Sequence, residues 1–509
     1  MQDSNHSLKV IAKGGIIIFI GVLLSKVFSY VYRIIVSKLG PHDYGLLSIA
    51  LAIFGILGGI TMLGTETGLV KFISSSNKKE GIKGVIQDAI RFVMPLSIIL
   101  AILLFFFSDY IAVNFFKDKS LSILLKVLAI FVPINALRKI FLNSLIGFKR
   151  VEYETLAKAI TENLSKVIIT ALLLILGYNL LGAIIGYSLS ILISLILAFY
   201  LLKYKVFNFL DKNISEVYST KEFYIYSLPL LFSIIVFVFI LWTDTLLLGY
   251  FRSVYEVGIY NAAMPTAQLI FIFPNALMAI FLPVISGFHD LKSEEFSKVF
   301  KTVTKWVLLI NIIPLALFLI YPKQILSIIF GQAYSSGYLT LILLSVGFFI
   351  SYLALSSNNV LLALNKTKLV FMNNLVAAIA NLMLNIILIP KYGINGAAIA
   401  TSSSFILMGI LMFSESYYLT KIIPFKLGII KIISSIAVPM LIINYIVQKY
   451  NINSIRNIIV TFIILIVIYM ALLLLTKSLE KEDYFILNSI YKKIGIRINF
   501  IDDLFKRVE

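Results

Sequence analysis

The chain has 509 residues, 60% of them hydrophobic and only 14% charged, with a mean hydropathy of +0.98, far above the roughly half-apolar, quarter-charged balance of a soluble domain. It carries no cysteine, which excludes disulfides, iron–sulfur clusters and thiol catalysis. Its histidines, His6, His42 and His289, lie in the tail or in loops and too far apart in sequence to suggest a metal site.

Apolar runs of about twenty residues, the length a helix needs to cross a bilayer, recur along the chain. Alternating strand patterns are absent, so the expected class is an all-α integral membrane protein. The opening MQDSNHSLKV is polar and has no small-residue cleavage site, so the first span is expected to be retained. In chain order, fourteen candidate transmembrane helices are centred near residues 23, 58, 97, 132, 166, 190, 235, 270, 312, 349, 379, 406, 437 and 465. With the N-terminus inside, twenty-nine Lys and Arg residues fall in the inner segments and tail and nine in the outer segments. That excess places both termini in the cytoplasm and the chain in the cell membrane. Much of the formal charge of +19 is then a topology signal. A nucleic-acid partner is not expected, because no soluble stretch is long enough to offer a binding face.

Two sequence echoes organise these spans. GPHDYGLLSIA at 40–50 and GYFRSVYEVGIYNAA at 249–263 share an acid, a spacer, a glycine and an aliphatic residue, Asp43, Gly45 and Leu46 against Glu256, Gly258 and Ile259, at an offset of 213. YNLLGAIIGYSLS at 178–190 aligns with YGINGAAIATSSS at 392–404 at an offset of 214. One spacing at both ends of the unit predicts a duplication of six spans. An even number returns the chain to its starting side, so the copies run parallel, a common transporter plan. The expected organisation is an N-terminal lobe 1–210 (spans 1–6), a C-terminal lobe 211–420 (spans 7–12), two extra helices in 421–477 and a cytoplasmic tail 478–509, with 203–221 as the linker. Span 8 carries Pro265, Pro274 and Pro283, which mark it as a bending element. The tail, SLEKEDYFILNSIYKKIGIRINF, mixes apolar and basic residues in the manner of an interfacial helix.

Several segments resemble one family. TDTLLLGYF at 243–251, EVGIYNAA at 256–263, IIFGQAY at 328–334 and LNIILIPKYGINGAAIAT at 384–401 are similar to the prokaryotic polysaccharide exporters that include the O-antigen flippases, and GPHDYGLLSIA fits that family's first loop. The resemblance runs from about residue 8 to about residue 475, most specifically at 384–401. It implies the superfamily of multidrug antiporters and peptidoglycan-precursor flippases, with MATE-like lobes. In function it implies translocation of a lipid-linked oligosaccharide from the inner to the outer leaflet by alternating access.

Charges inside spans are costly, about 2.5–3.5 kcal/mol each on insertion scales, and so point to a wet interior or a partner. Lys26 and Arg33 are two helical turns apart on span 1, in a polar stripe with Ser25, Ser29, Tyr30 and Ser37. They are the leading candidates for a phosphate or pyrophosphate, the rival role being a pairing with Glu66. Arg138 and Lys139 are adjacent, about 100° apart on a helix, so one of them at most is expected to face a cavity. Glu162 and Lys166 have the spacing of a same-helix ion pair, which competes with a ligand role for Lys166. Arg91 is expected to snorkel to headgroups. Glu66 and Asp244 are candidates for taking up a coupling ion, H+ or Na+, with hydrogen bonding or a partner cation as the alternative for Asp244. Asn261, Gln268 and Asn275 recur every seven residues on span 8 and are weak candidates for sugar contacts.

The expected partners are therefore a polyprenyl-phosphate-linked glycan and membrane lipids, with no cofactor and no catalytic residues, and a monomer is compatible with the reading. A multidrug or cation antiporter would present acids to its substrates rather than lysine and arginine. A membrane glycosyltransferase or ligase would need paired carboxylates or a metal at the membrane surface, usually with a sizeable outer domain, and the outer loops here are short.

Overall fold

The computed structural model describes residues 21, 23–76, 78–217, 220–425, 428–449, 454–476 and 478. The expected leading segment and the amphipathic tail lie outside these residues. Every regular element among those described is helical: α1 (23–37), α2 (Pro41–Ile60), α3 (Thr65–Ser75), α4 (Lys79–Tyr110), α5 (Ser120–Gly147), α6 (Val151–Glu154), α7 (Asn163–Ile175), α8 (Asn179–Tyr200), α9 (Thr220–Phe251), α10 (Val254–Ala267), α11 (Ile272–Ile285), α12 (Glu294–Ile320), α13 (Pro322–Ile329), α14 (Tyr338–Tyr352), α15 (Leu355–Ala363), α16 (Thr367–Thr420), α17 (Gly428–Lys449) and α18 (Ile455–Leu475). Ten helical segments among the described residues are long and apolar enough to cross a membrane by length and composition. Each of the fourteen expected centres falls in a helical run. The two counts differ partly because the spans expected near 379 and 406 are limbs of one long α16, broken by non-helical backbone at Gly393.

The chain forms two compact units, one of residues 1–262, 329–334 and 378–397 and one of residues 263–328, 335–377 and 398–509. Compactness thus groups α9 and most of α10 with the first unit, whereas the repeat spacing groups them with the second set of six spans. One division reports contact density and the other sequence duplication.

In the first unit α5 is the central helix, packing on α2, α3, α4 and α8. Its buried residues, among them Leu128, Val132, Ile140, Phe141 and Ser144, spread over most of the circumference, leaving Ile123 and Ile130 exposed. α4 by contrast turns Ile102, Phe106 and Phe107 outward, which suits lipid as solvent. In the second unit Phe281, Phe296, Phe300 and Val360 form a core between α11, α12 and α15.

The repeated motifs have a structural counterpart. Gly45 and Gly258, the echoed glycines, sit where α2 and α10 cross: a Cβ on Gly45 would strike the Val254 carbonyl, and one on Gly258 would strike the Pro41 carbonyl. Each glycine thus faces the residue four positions before its counterpart, a reciprocal crossing. Left-handed backbone also recurs at the repeat spacing. Asn179 (φ 43°) and Gly393 (φ 55°) are 214 residues apart, as are Lys117 (φ 56°) and Gly331 (φ 122°). Asparagine and glycine are the residues that tolerate this region best. We expect Gly258→Ala to lower stability in detergent by about 1–3 kcal/mol, because overpacking against backbone leaves no flexible atom to yield. A thermal melt of the purified variant at the wild-type midpoint would contradict this contact.

The segment joining α8 to α9 is tied down by a buried cation. Lys83 is 5% exposed. Its Nζ donates to the carbonyls of Asp211 and Ile214, both at 2.9 Å, and pairs with Glu216 at 3.2 Å. Arg91, expected to reach lipid headgroups, lies 3.7 Å from the same Glu216 carboxylate with its side chain exposed. Hydrogen bonds to a charged group contribute about 1.5–3 kcal/mol each. Lys83→Met should therefore raise trypsin nicking at Lys205 and Lys212 by about 30-fold or more through local opening, while Lys83→Arg stays close to wild type. Limited proteolysis followed by intact-mass measurement checks both.

Candidate anion site in the first unit

α1 carries Ser25, Lys26, Ser29, Tyr32, Arg33 and Ser37, and the tertiary structure divides their roles. Ser25 and Ser29 dock on Asn163 at the start of α7: the Asn163 amide nitrogen donates to Ser25 at 3.0 Å, and Ser29 donates to the Asn163 oxygen at 3.1 Å. Lys26 is exposed. Arg33 Nη1 donates to the Tyr44 hydroxyl at 3.1 Å, and that hydroxyl donates onward to the Asn261 carbonyl at 3.0 Å. This chain orients the guanidinium without consuming its charge. The Ser37 carbonyl accepts from Tyr334 at 2.9 Å, so the IIFGQAY segment braces the end of α1.

Lys166 is 7% exposed. Its Nζ donates to the Asn163 oxygen at 2.8 Å and lies 5.3 Å and 5.8 Å from the ring centres of Tyr32 and Tyr187. Aromatic faces and a neutral amide offset part of the cost of burying the ammonium but leave its charge in place. Arg33 and Arg138 lie near enough to act on it electrostatically, as does Glu162.

Arg138 and Lys139 diverge, as adjacent helical residues must. Arg138 pairs with Glu162, at the end of a π-helical stretch Thr155–Glu162 that leads into α7. Its Nε and Nη2 also donate to Asn135 at 3.3 Å and 2.7 Å. Lys139 pairs with Glu66 at 2.8 Å and donates to the Gly58 carbonyl at 3.0 Å. Two pairings weighed from the sequence, the same-helix one for Glu162 and the rival role of Glu66 on span 1, are thereby replaced. Glu162 forms its ion pair across helices with Arg138 rather than with Lys166, and Glu66 forms its pair with Lys139 rather than with Lys26 or Arg33. Both carboxylates take partners distant in sequence, which spacing along one helix does not disclose. Of the five candidate cations, Lys26, Arg33 and Lys166 have no carboxylate within ion-pair distance among the described residues. The cluster is net positive, the electrostatic character an anionic head requires.

Asp244 occupies a separate buried cluster of the same unit. It is 4% exposed and accepts from the Tyr260 hydroxyl at 2.5 Å, from Asn385 at 2.6 Å and from Asn381 at 3.4 Å. The Asn385 side-chain oxygen, buried beside it, has no hydrogen-bond partner among the described residues. Carboxylate, phenol and amide oxygens gathered in this way suit a proton or a small hard cation.

Two members of the proposed sugar-contacting row take internal partners. A 3₁₀ turn at Gln268–Phe271 separates α10 from α11. Four residues at about 120° rather than 100° each move Asn275 from about −40° to about +40° relative to Asn261, so Asn261, Gln268 and Asn275 stay within about 60° of one another. The break lies within the proline-rich span expected to bend. Asn261 is spent on the Val257 carbonyl and Thr245, at 3.0 Å and 3.2 Å. Asn275 is exposed and accepts from Tyr352 at 3.5 Å. Spacing along the chain also did not single out Tyr32, Asn163 or Tyr187 as members of the cationic site. Aromatic residues and amides are common in spans, and their approach to Lys166 or Arg138 comes from packing. Tyr260, Asn381 and Asn385 belong to the Asp244 cluster for the same reason.

Comparison with known proteins places these features in context. A family model described as "Polysaccharide biosynthesis protein" matches residues 11–289, and one described as "MatE" matches residues 229–387. The chain is 26% identical to an O-antigen transporter, so named, of Shigella flexneri over 388 residues, 74% of this chain and 90% of that protein. It is 26% identical over 471 residues, 84% of this chain and 89% of the other, to a membrane protein of Methanocaldococcus jannaschii with no assigned activity. It is 28% identical to a Haloferax volcanii protein named as a low-salt glycan biosynthesis flippase, over 36% of this chain and 39% of that one. Among solved structures, the lipid II flippase MurJ in an inward closed conformation superposes with a TM-score of 0.72 at 17% identity, covering 94% of this chain and all of the other. An inward-facing multidrug resistance MATE family transporter superposes with a TM-score of 0.66 at 14% identity, covering 78% and 94%. At these identities the structural likeness speaks for the fold.

Proposed function

Because the chain belongs to the polysaccharide biosynthesis protein family of multi-pass membrane transporters, we propose that it is a flippase that carries a glycan precursor linked to a polyprenyl phosphate from the cytoplasmic to the outer leaflet of the cell membrane. The observation that carries this reading is the pair of cations, Arg33 and Lys166, lacking carboxylate partners among the described residues of the first unit. A phosphate or pyrophosphate head supplies the missing charge, with arginine suited to bidentate contact, while the carrier's hydrocarbon stays in lipid. Alternating access then exposes the head first to the cytoplasm and later to the outside. Both termini lie in the cytoplasm on this reading.

The Asp244 cluster supports coupling to an inward flow of H+ or Na+, because occupation of a buried carboxylate by a cation changes its charge. The membrane potential also acts: moving one uncompensated negative charge outward gains about 2.3 kcal/mol per 100 mV. An exporter of organic cations, the second reading, draws on the MatE match and on Asp244. It is disfavoured because the cationic cluster would repel such substrates.

Transport of fluorescent lipid-linked oligosaccharide in proteoliposomes tests the proposal. Export should accelerate when an interior-negative potential is imposed, by up to about 50-fold per 100 mV for a fully exposed single charge and by less if Arg33 and Lys166 travel with it. Rates equal to those of protein-free vesicles would remove the flippase reading.

A further inference from the structure

Resting on the anion-site reading above, we propose that Glu162 is a built-in competitor for the substrate's phosphate, holding Arg138 until the anionic head displaces it and returning to eject the head. The geometry around Arg138 points this way. Its guanidinium is anchored twice on Asn135, through Nε and Nη2, whereas Glu162 engages only Nη1. Removing the carboxylate therefore frees a donor edge without releasing the side chain. Asn135 and Arg138 are both on α5 and both buried, so this anchor does not depend on the segment that carries Glu162.

Glu162 itself stands on less regular ground. It ends the π-helical stretch Thr155–Glu162, and α7 begins at the next residue. Wide π turns are held by fewer well-aligned bonds and often mark functional positions. One helical turn further on is Lys166, whose ammonium bonds the neutral Asn163 oxygen and feels the Glu162 charge. Glu162 thus has an alternative cation at the spacing favourable to a Glu-first pair. A phosphate oxygen arriving at Arg138 Nη1 from a head already held by Arg33 can push the carboxylate toward Lys166. The reverse exchange weakens the grip on the head, so that capture does not become a trap. A transporter that bound its anion with all its cations free would gain affinity at the expense of release.

The test uses the full chain in detergent with two probes, inorganic pyrophosphate for a free anion and farnesyl diphosphate for a prenyl-linked one, titrated calorimetrically. Glu162→Gln is expected to bind at least tenfold more tightly than wild type and to flip lipid-linked oligosaccharide more slowly in proteoliposomes. Glu162→Asp should restore both values to within about threefold. Asp109→Asn, which removes a carboxylate from the Asp109–Lys126 pair outside the site, should change affinity by less than about threefold. Tighter binding separates this role from a structural one, since loss of a supporting ion pair loosens the site. A gain for farnesyl diphosphate alone assigns the competition to a carrier-linked head, and a gain for both probes assigns it to the phosphate groups themselves. Either outcome supports the exchange. Unchanged or weaker binding in Glu162→Gln, with binding still lost in Arg33→Ala, overturns the competitor role and leaves the anion site standing. An equal gain in Asp109→Asn overturns it too, by reducing the effect to bulk charge. Failure of the wild type to bind either probe overturns the site together with the role of Glu162.

Discussion

Arg33→Ala is expected to abolish anion capture while leaving the fold intact. The side chain donates to the Tyr44 hydroxyl at 3.1 Å and pairs with no carboxylate among the described residues, so its loss leaves no buried counter-charge behind. Tyr44 keeps its own bond to the Asn261 carbonyl. Removing an arginine from the span also relieves an insertion cost of about 2.5–3.5 kcal/mol, so thermal stability should hold or rise slightly. Function should move the other way. Two charge-assisted hydrogen bonds to a phosphate contribute about 3–6 kcal/mol, a factor of about 10² to 10⁴ in affinity. Arg33→Lys keeps the charge but not the planar fork and should fall between the two. Pyrophosphate titration beside a thermal melt measures both effects. Wild-type affinity in the alanine variant would take Arg33 out of the site.

Asp244→Asn carries the second large effect, on coupling. In the wild type the carboxylate gathers donors from Tyr260, Asn381 and Asn385. An asparagine is nearly isosteric but offers one acceptor oxygen and a new amide donor, so at least one of those donors must turn away, at about 1–3 kcal/mol. The variant should therefore fold with reduced stability. It should also transport at a rate that no longer responds to an imposed H+ or Na+ gradient, since the site has lost the charge that such an ion neutralises. We expect at least a tenfold drop in gradient-driven flipping and little change when no gradient is imposed. Tyr260→Phe, which removes one donor and keeps the carboxylate, should retain the gradient response. Undiminished acceleration by both gradients in Asp244→Asn would separate this cluster from energy coupling.

The positions of the helices were readable before any coordinates, because a bilayer imposes the same demand on each span: enough consecutive apolar residues, with backbone groups satisfied internally. α5 shows how far that reading goes. Its apolar run announces a span, but burial over most of its circumference reflects the neighbours α2, α3, α4 and α8. The partners of Glu162 and Glu66 were not readable for the same reason. Arg138 is 24 residues from Glu162, and Lys139 is 73 from Glu66, and local spacing rules address only residues on one helix. Asn261, Gln268 and Asn275 show another limit, since a seven-residue spacing announces a shared face but not that Asn261 is held by Thr245 and the Val257 carbonyl.

The amino-acid sequence alone determined the solvent the protein lives in, the places where helices run and the reservoir of cations near the first span. It also held the duplicated motifs, whose glycines are there because two backbones cross too closely for a Cβ. The tertiary structure alone decided which of those cations stay uncompensated. Charge is a property of a residue, but neutralisation is a property of a pair. Two carboxylates brought in from other helices pair with Arg138 and Lys139 and leave Arg33 and Lys166 without an ion-pair partner among the described residues.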